Sequence, residues 1–178
     1  MSEGSLVLAP GWYGKLPALG DFAARRLPRS FIQPWDGWLQ QAMHADRARL
    51  GDAWLEAYLH APMRRFVLAR GVVDDSAWAG VLTPSVDRVG RHFPLTLARA
   101  LPAPPATAWF DALEEAALGA LDLAATVEDL EHVLATIAPP VPAAAAGLAS
   151  GTSCFWTGEA FDRGWAQPGM PAAAIVID

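Results

Sequence analysis

Apolar side chains recur every three or four positions in four stretches of the chain, which is the spacing of a helix with one buried face. The first of these stretches includes Trp35 and Trp38. Ser30 and Gln33 at its start predict a capping box, and Thr126 is placed to cap the last stretch. The four predicted helices cover about residues 31–48, 54–61, 107–121 and 127–137.

The other apolar runs are short, end at turn residues, and contain the β-branched and aromatic side chains typical of strands. Three of them follow one another between the two helix pairs and can pair as an antiparallel meander. This order of elements favours an α+β fold, a layered domain with a mostly antiparallel sheet of about five to six strands packed against two helix pairs. The predicted strands cover about residues 12–14, 65–69, 78–83, 93–101, 152–157 and 172–177.

Length and composition favour one well-buried unit. A chain of 178 residues suffices for one hydrophobic core and is short for two, so we expect a single domain over residues 11–178 after a flexible N-terminus of residues 1–10. Hydrophobic residues make up 53% and charged residues only 18%, which predicts an interior that takes up much of the chain. The alanine-rich segment 143–149 is predicted to be a loop or a marginal helix.

The charge balance and the cysteine content narrow the possible partners and compartments. The net charge is −6, and a nucleic-acid partner is not expected because a phosphate backbone requires a basic surface. Cys154 is the single cysteine, which excludes an intramolecular disulfide and suits a reducing cytosol. No apolar run approaches the roughly 20 residues of a membrane span. We therefore expect a cytoplasmic protein with no direct membrane insertion.

Polar residues concentrate in the connector between two predicted strands, residues 83–95. It is too long for a tight hairpin and too short for a helical crossover. It could be an ionic cluster that fixes how the two strands are joined. It could also bind a carboxylate or phosphate group, because planar guanidinium groups suit both. The polar side chains of this connector are Ser85, Asp87, Arg88, Arg91 and His92.

The same residues also allow enzymatic alternatives. Ser85, Asp87 and His92 could form a hydrolase triad, although no Gly-x-Ser-x-Gly elbow surrounds the serine. Segment 14–22 resembles a phosphate loop only superficially, because Lys15 precedes the loop. The His, Cys and carboxylate residues show no metal-ligand spacing, so neither a metal nor another cofactor is expected. The alternatives that stay open are a small hydrolase and a phosphate-ligand-binding protein that use this connector.

The strongest candidate site in the sequence is a group of charged residues. Charges among so many apolar residues are expected to pair, since an unpaired buried charge costs several kcal/mol. We expect Asp21 or Asp36 to reach Arg88 or Arg91 and so tie a glycine-rich segment to the sheet. The candidate cluster, whether it is structural or binds a partner, is Lys15, Asp21, Arg25, Asp36, Ser85, Asp87, Arg88 and Arg91, with Arg26 beside it.

Several sequence blocks follow one another in the first 101 residues: Gly11–Phe22, Arg26-Leu27-Pro28, Trp35–Leu39, Pro62 with Arg65-Phe66, and Trp78–Leu95. In this order they resemble the TagF (also ImpM) family, proteins encoded with bacterial type VI secretion systems. Beyond residue 101 the resemblance is looser and rests on helices and strands of fitting type.

The resemblance implies a cytoplasmic accessory protein that represses type VI secretion after translation. It also implies that repression works by binding the forkhead-associated scaffold protein of the system, and it implies no catalysis. Some relatives carry a fused serine/threonine phosphatase domain, whose metal-binding acidic motifs are not found in this sequence. The family supplies no mapped binding surface, so Lys15, Asp21, Arg88 and Arg91 are candidates taken from the matched blocks.

Overall fold

One antiparallel sheet forms the middle layer of the molecule. The computed structural model describes residues 9–143, 147–158, 162 and 166–171. The strands in these ranges are β1 (Gly11–Gly14), β2 (Ala23–Arg25), β3 (Arg64–Leu68), β4 (Trp78–Thr83), β5 (Leu95–Ala100), β6 (Thr152–Trp156) and β7 (Gln167–Pro168). Their order in the sheet is β2-β1-β5-β4-β3-β6-β7, and every neighbouring pair is antiparallel. The predicted α+β class is confirmed, with more strands than the five to six expected.

The two predicted helix pairs cover opposite faces of this sheet. Helices α1 (Arg29–Leu50) and α2 (Trp54–His60) lie on one face, and α3 (Thr107–Ala120) and α4 (Val127–Thr136) lie on the other. Each pair closes its own hydrophobic core, as expected for layers that must bury one apolar face each. The first core includes Phe31, Trp35, Leu39, Tyr58 and Phe66, and the second includes Trp12, Val67, Phe110, Leu113 and Leu134.

The central strands are buried on both faces, which explains their nearly continuous apolar sequence. Along β3, Phe66 and Leu68 contact the α1–α2 core, whereas Val67 contacts the α3–α4 core. Gly80 on β4 permits the close approach of β5. A Cβ atom there would lie 2.1 Å from the carbonyl oxygen of Leu97 and 2.7 Å from the Phe66 ring.

The sequence predicted a capping box at the start of two helices, and the structure has one of them. Thr126 and Asp129 form the predicted type of capping box at α4. The capping box predicted from Ser30 is wrong, because α1 begins at Arg29, two residues before the predicted start, with Pro28 as a cap residue that offers no side-chain hydrogen bond. The Ser30 hydroxyl instead donates to Asp74 at 2.9 Å.

The sequence pattern does not reveal strand β2, because this strand is three residues long and only half-buried. The predicted strand at 172–177 and residues 1–8 of the predicted flexible N-terminus lie outside the described residues. Within segment 143–149, residues 143 and 147–149 belong to no helix or strand. Among the helices of the described ranges, none has the length and apolar character needed to cross a membrane.

Candidate functional site

The connector between β4 and β5 is built around the carboxylate of Asp87. Its Oδ1 accepts backbone N–H groups from Val89 at 3.1 Å and Arg91 at 2.9 Å. The Asp87 N–H donates to the Arg91 carbonyl at 3.0 Å, which closes a tight loop. This is the local role that Asp commonly has in turns, where it satisfies backbone donors that strands leave unpaired.

The same carboxylate binds two cations from different parts of the chain. Lys15 Nζ lies 2.9 Å from Asp87 Oδ2, and Arg91 Nε lies 2.8 Å from the same atom. The side chains of Lys15 and Asp87 are both buried, whereas that of Arg91 is 53% exposed. We refer to Lys15, Asp87 and Arg91 as the Asp87 cluster. It ties the segment after β1 to the β4–β5 connector.

Ser85 extends this attachment to a helix on the first face of the sheet. Its hydroxyl donates to the Lys15 carbonyl at 2.7 Å. Its backbone N–H donates to the Tyr58 hydroxyl at 3.0 Å, and that hydroxyl donates to the Ser85 carbonyl at 2.9 Å. Burial raises the pKa of Tyr58, so the phenol stays protonated and remains a donor. Helix α2, the connector and the segment after β1 are therefore joined at one end of the sheet.

The Asp87 carboxyl is held in its ionised form. Burial by itself would raise its pKa. The hydrogen bonds from the Arg91 backbone, the Lys15 ammonium, the Arg91 side chain and the Val89 backbone outweigh burial, so the pKa lies well below the ordinary value. The pKa of Glu131 is also lowered, because the hydrogen bonds it accepts from Arg26 and Trp12 outweigh its partial burial.

We expect the free energy of unfolding to decrease as the pH falls below about 5. A carboxyl whose pKa is lower in the folded state than in the unfolded chain stabilises the protein above the unfolded-state pKa. This contribution is lost as the pH falls through the folded-state pKa. Urea unfolding between pH 7 and pH 3, repeated with Asp87→Asn, measures it. A variant with the same pH slope as the wild type would show that Asp87 contributes nothing to it.

The predicted contact between Asp21 and Arg91 is present, whereas the predicted contact of Asp36 with Arg88 or Arg91 is not. Asp21 lies 3.8 Å from Arg91, but both side chains are largely exposed, so this contact contributes little to stability. Asp36 is wrongly assigned to the cluster. It accepts hydrogen bonds from Tyr13 and Gln40 on the α1 side of the sheet. Arg91 also pairs with Asp87 of its own connector, at the shorter distance of 2.8 Å, and this local contact was not predicted.

Arg88 and Arg25 are exposed members of the predicted set. The backbone N–H of Arg88 donates to the Leu19 carbonyl at 2.8 Å, and its side chain forms no ion pair with the described residues. It borders a groove of about 560 Å³ between the segment after β1, the connector and the start of α4. Arg25 donates to the Ala24 carbonyl at 2.9 Å and lies over the Trp12 ring, away from the Asp87 cluster.

The three residues considered for a triad do not form one hydrogen-bonded chain. The Ser85 hydroxyl donates to the carbonyl of Lys15, and Asp87 accepts from Lys15 and Arg91. The His92 ring packs edge-on against Trp54 and Tyr58. Within the described part of the chain, no hydrogen bond links His92 to the serine or the aspartate.

Cys154 is buried, which raises its thiol pKa to about 11.

Two further ionic attachments were not predicted. Arg26 forms a two-pronged contact with Glu131 of α4, and the Trp12 indole donates to the same carboxylate at 2.6 Å. Arg65 of β3 binds Glu114 at 2.8 Å and Asp111 of α3 at 2.6 Å. These partners lie 46 to 119 residues apart, so spacing could not reveal them. An Arg within a buried strand was a usable signal, because such a charge requires carboxylates on the covering layer.

The molecule is thus an α+β domain of three layers whose polar cluster joins its own segments. Residues 11–137 match the family described as TagF N-terminal domain, type VI secretion system-associated. The chain belongs to this family. Among solved structures it is similar to PA0076 from Pseudomonas aeruginosa PAO1, with 34% sequence identity and a TM-score of 0.79 over 94% of this chain and 92% of that one. No curated protein matches it at a significant level.

Proposed function

We propose that the chain is a cytoplasmic accessory protein that represses a bacterial type VI secretion system after translation. It acts by binding the forkhead-associated scaffold protein of that system, which hinders assembly. It works as a binding partner and not as a catalyst. The observation that carries this proposal is the match to a family associated with type VI secretion over residues 11–137.

The charged groups of the Asp87 cluster are already paired with one another. This favours a binding role for other surfaces of the protein. Lys15 and Asp87 satisfy each other in the interior, so neither offers a free charge to a ligand. A site that recognises phosphate needs cations that are not already neutralised. The connector contributes two cations that were predicted to bind a ligand, Arg88 and Arg91. Of these two, only Arg88 has a side chain that forms no ion pair with the described residues. The cluster therefore fits a structural role, and recognition falls to exposed groups.

We expect calorimetry to detect saturable binding between this chain and the forkhead-associated scaffold protein from the same secretion cluster. A folded, monodisperse sample of each protein is the precondition, checked by circular dichroism and light scattering. The Arg88→Ala variant measures how much the connector contributes to the binding free energy, since this change leaves every contact of the Asp87 cluster intact. The absence of binding between two folded proteins would refute this partner and direct the search to other components of the secretion system.

A further inference from the structure

The helices on one face of the sheet carry almost all their charge with one sign. Between Arg99 and Arg163 the sequence contains no Lys or Arg. Helices α3 and α4 and the turn between them, residues 107–136, form what we call the acidic hairpin. The hairpin has His132 as its only titratable base. Its carboxylates are Asp111, Glu114, Glu115, Asp122, Glu128, Asp129 and Glu131.

Only some of these carboxylates are neutralised within the fold. Arg65 forms ion pairs with both Asp111 and Glu114, so one of these two negative charges stays uncompensated, and Arg26 neutralises Glu131. The other four form no ion pair with any Lys or Arg of the described residues, and all four are exposed. Asp122 and Asp129 accept backbone N–H groups at the ends of helices. Among the described residues, Glu115 and Glu128 have neither an ion pair nor such a hydrogen bond. The outer surface of the hairpin is therefore negative, in a chain whose whole net charge is −6.

Large apolar side chains are exposed among these carboxylates. Leu118 is 62% exposed, Leu123 is 88% exposed and Val133 is 41% exposed. Leu118 follows Glu115 by three positions on α3, so both side chains lie on the same outward stripe. Leu123 and Glu128 also border the 560 Å³ groove at the start of α4. Apolar groups that remain in water within a charged rim are typical of surfaces that bind another protein.

We propose that the outer face of the acidic hairpin is a docking surface for a basic protein segment, one that carries Lys or Arg residues around one or two apolar side chains. The inference rests on the proposed function insofar as the chain acts by binding a protein. Charge complementarity selects the occupant. A basic segment is attracted by the unpaired carboxylates, whereas nucleic acid and anionic lipid surfaces are repelled by them. The exposed leucines supply the apolar contacts that charge alone does not.

Two labelled synthetic peptides provide the first test. They share their apolar positions, and one has Lys where the other has Glu. Fluorescence anisotropy should show that the chain binds the Lys peptide, that the Glu peptide does not bind, and that affinity falls as salt is raised from about 50 to about 500 mM. Equal binding of both peptides, or binding that salt does not change, would overturn the proposal.

Matched variants locate the surface. Glu115→Lys with Glu128→Lys reverses two unpaired carboxylates of the hairpin, and Asp52→Lys with Glu56→Lys changes the net charge equally on the opposite layer. Leu118→Ser and Leu59→Ser remove an exposed leucine from each layer in the same way. We expect roughly tenfold weaker binding of the Lys peptide for each hairpin change and less than about twofold for each control. Equal losses for hairpin and control variants would contradict a hairpin site.

The same variants, titrated with the forkhead-associated scaffold protein, separate this inference from the proposed function. If the scaffold binds the wild type and the hairpin variants equally well, the docking surface is wrong while the partner stands. If the scaffold does not bind but the Lys peptide binds at the hairpin, the partner is wrong while the surface stands. The inference predicts that both hairpin changes weaken scaffold binding and that Arg88→Ala, which removes a positive charge beside the groove, does not.

Discussion

Asp87→Ala is expected to lower the melting temperature by roughly 10 °C. The variant leaves the Lys15 ammonium buried without a counter-charge, and an uncompensated buried charge is among the most destabilising changes in a protein. It also removes the acceptor for the backbone N–H groups of Val89 and Arg91, so the connector loses the bonds that define its turn. Thermal unfolding followed by circular dichroism measures the shift.

Asp21→Ala is the matched control for this experiment. Its carboxylate also lies near Arg91, but at 3.8 Å and with the side chain 80% exposed, so its loss should change the melting temperature by less than about 2 °C. Asp87→Asn adds a second comparison. It keeps the shape of the side chain while removing its charge, and it should fall between the alanine variant and the wild type. An Asp87→Ala protein that melts like the wild type would show that the cluster does not stabilise the fold.

Gly14→Ala is expected to destabilise the protein by about 3 kcal/mol or more. Gly14 ends β1 immediately before Lys15, and its φ of +134° is a conformation that side-chain-bearing residues rarely adopt. An added Cβ would lie 2.1 Å from the Pro94 carbonyl oxygen, a backbone atom that can move only if β5 moves. The pairing of β1 with β5 and the position of Lys15 should both be disturbed. Chemical denaturation gives the free energy of unfolding, or shows that no folded protein remains.

Gly90→Ala separates the clash from the backbone preference. Gly90 also has a positive φ, +85°, but an added Cβ would have no atom within 4 Å. This variant should therefore cost only about 1 kcal/mol, the preference of glycine for that conformation. Equal effects at both positions would mean that the close approach of β1 and β5 does not determine the stability of this end of the sheet.

Sequence patterns predicted the layers of this fold because each helix and most strands bury a regular apolar face. The periodicity of Phe31, Trp35, Leu39 and Met43 predicted α1, and all four side chains are buried. Strand β2 could not be found in this way, since three half-buried residues carry almost no periodic signal. Its existence depends on pairing with β1, a tertiary contact.

The sequence predicted the members of the candidate site better than the contacts between them. Lys15, Ser85, Asp87 and Arg91 were selected as charged or polar residues in apolar surroundings, and the structure brings them together. Which charge pairs with which depends on distances that the sequence does not contain. Asp36 was grouped with these residues because it lies between Trp35 and Trp38 of α1, although its side chain accepts hydrogen bonds from Tyr13 and Gln40.

The most direct test of the proposed role measures secretion itself. The chain is overproduced in a bacterium whose own type VI system, with its cognate scaffold protein, is active, and a substrate of that system is quantified in the culture medium and inside the cells. Repression after translation predicts less substrate in the medium with unchanged levels of the substrate and the scaffold protein in the cells. Unchanged release, with the chain shown to be folded and abundant in those cells, would contradict the repressor account.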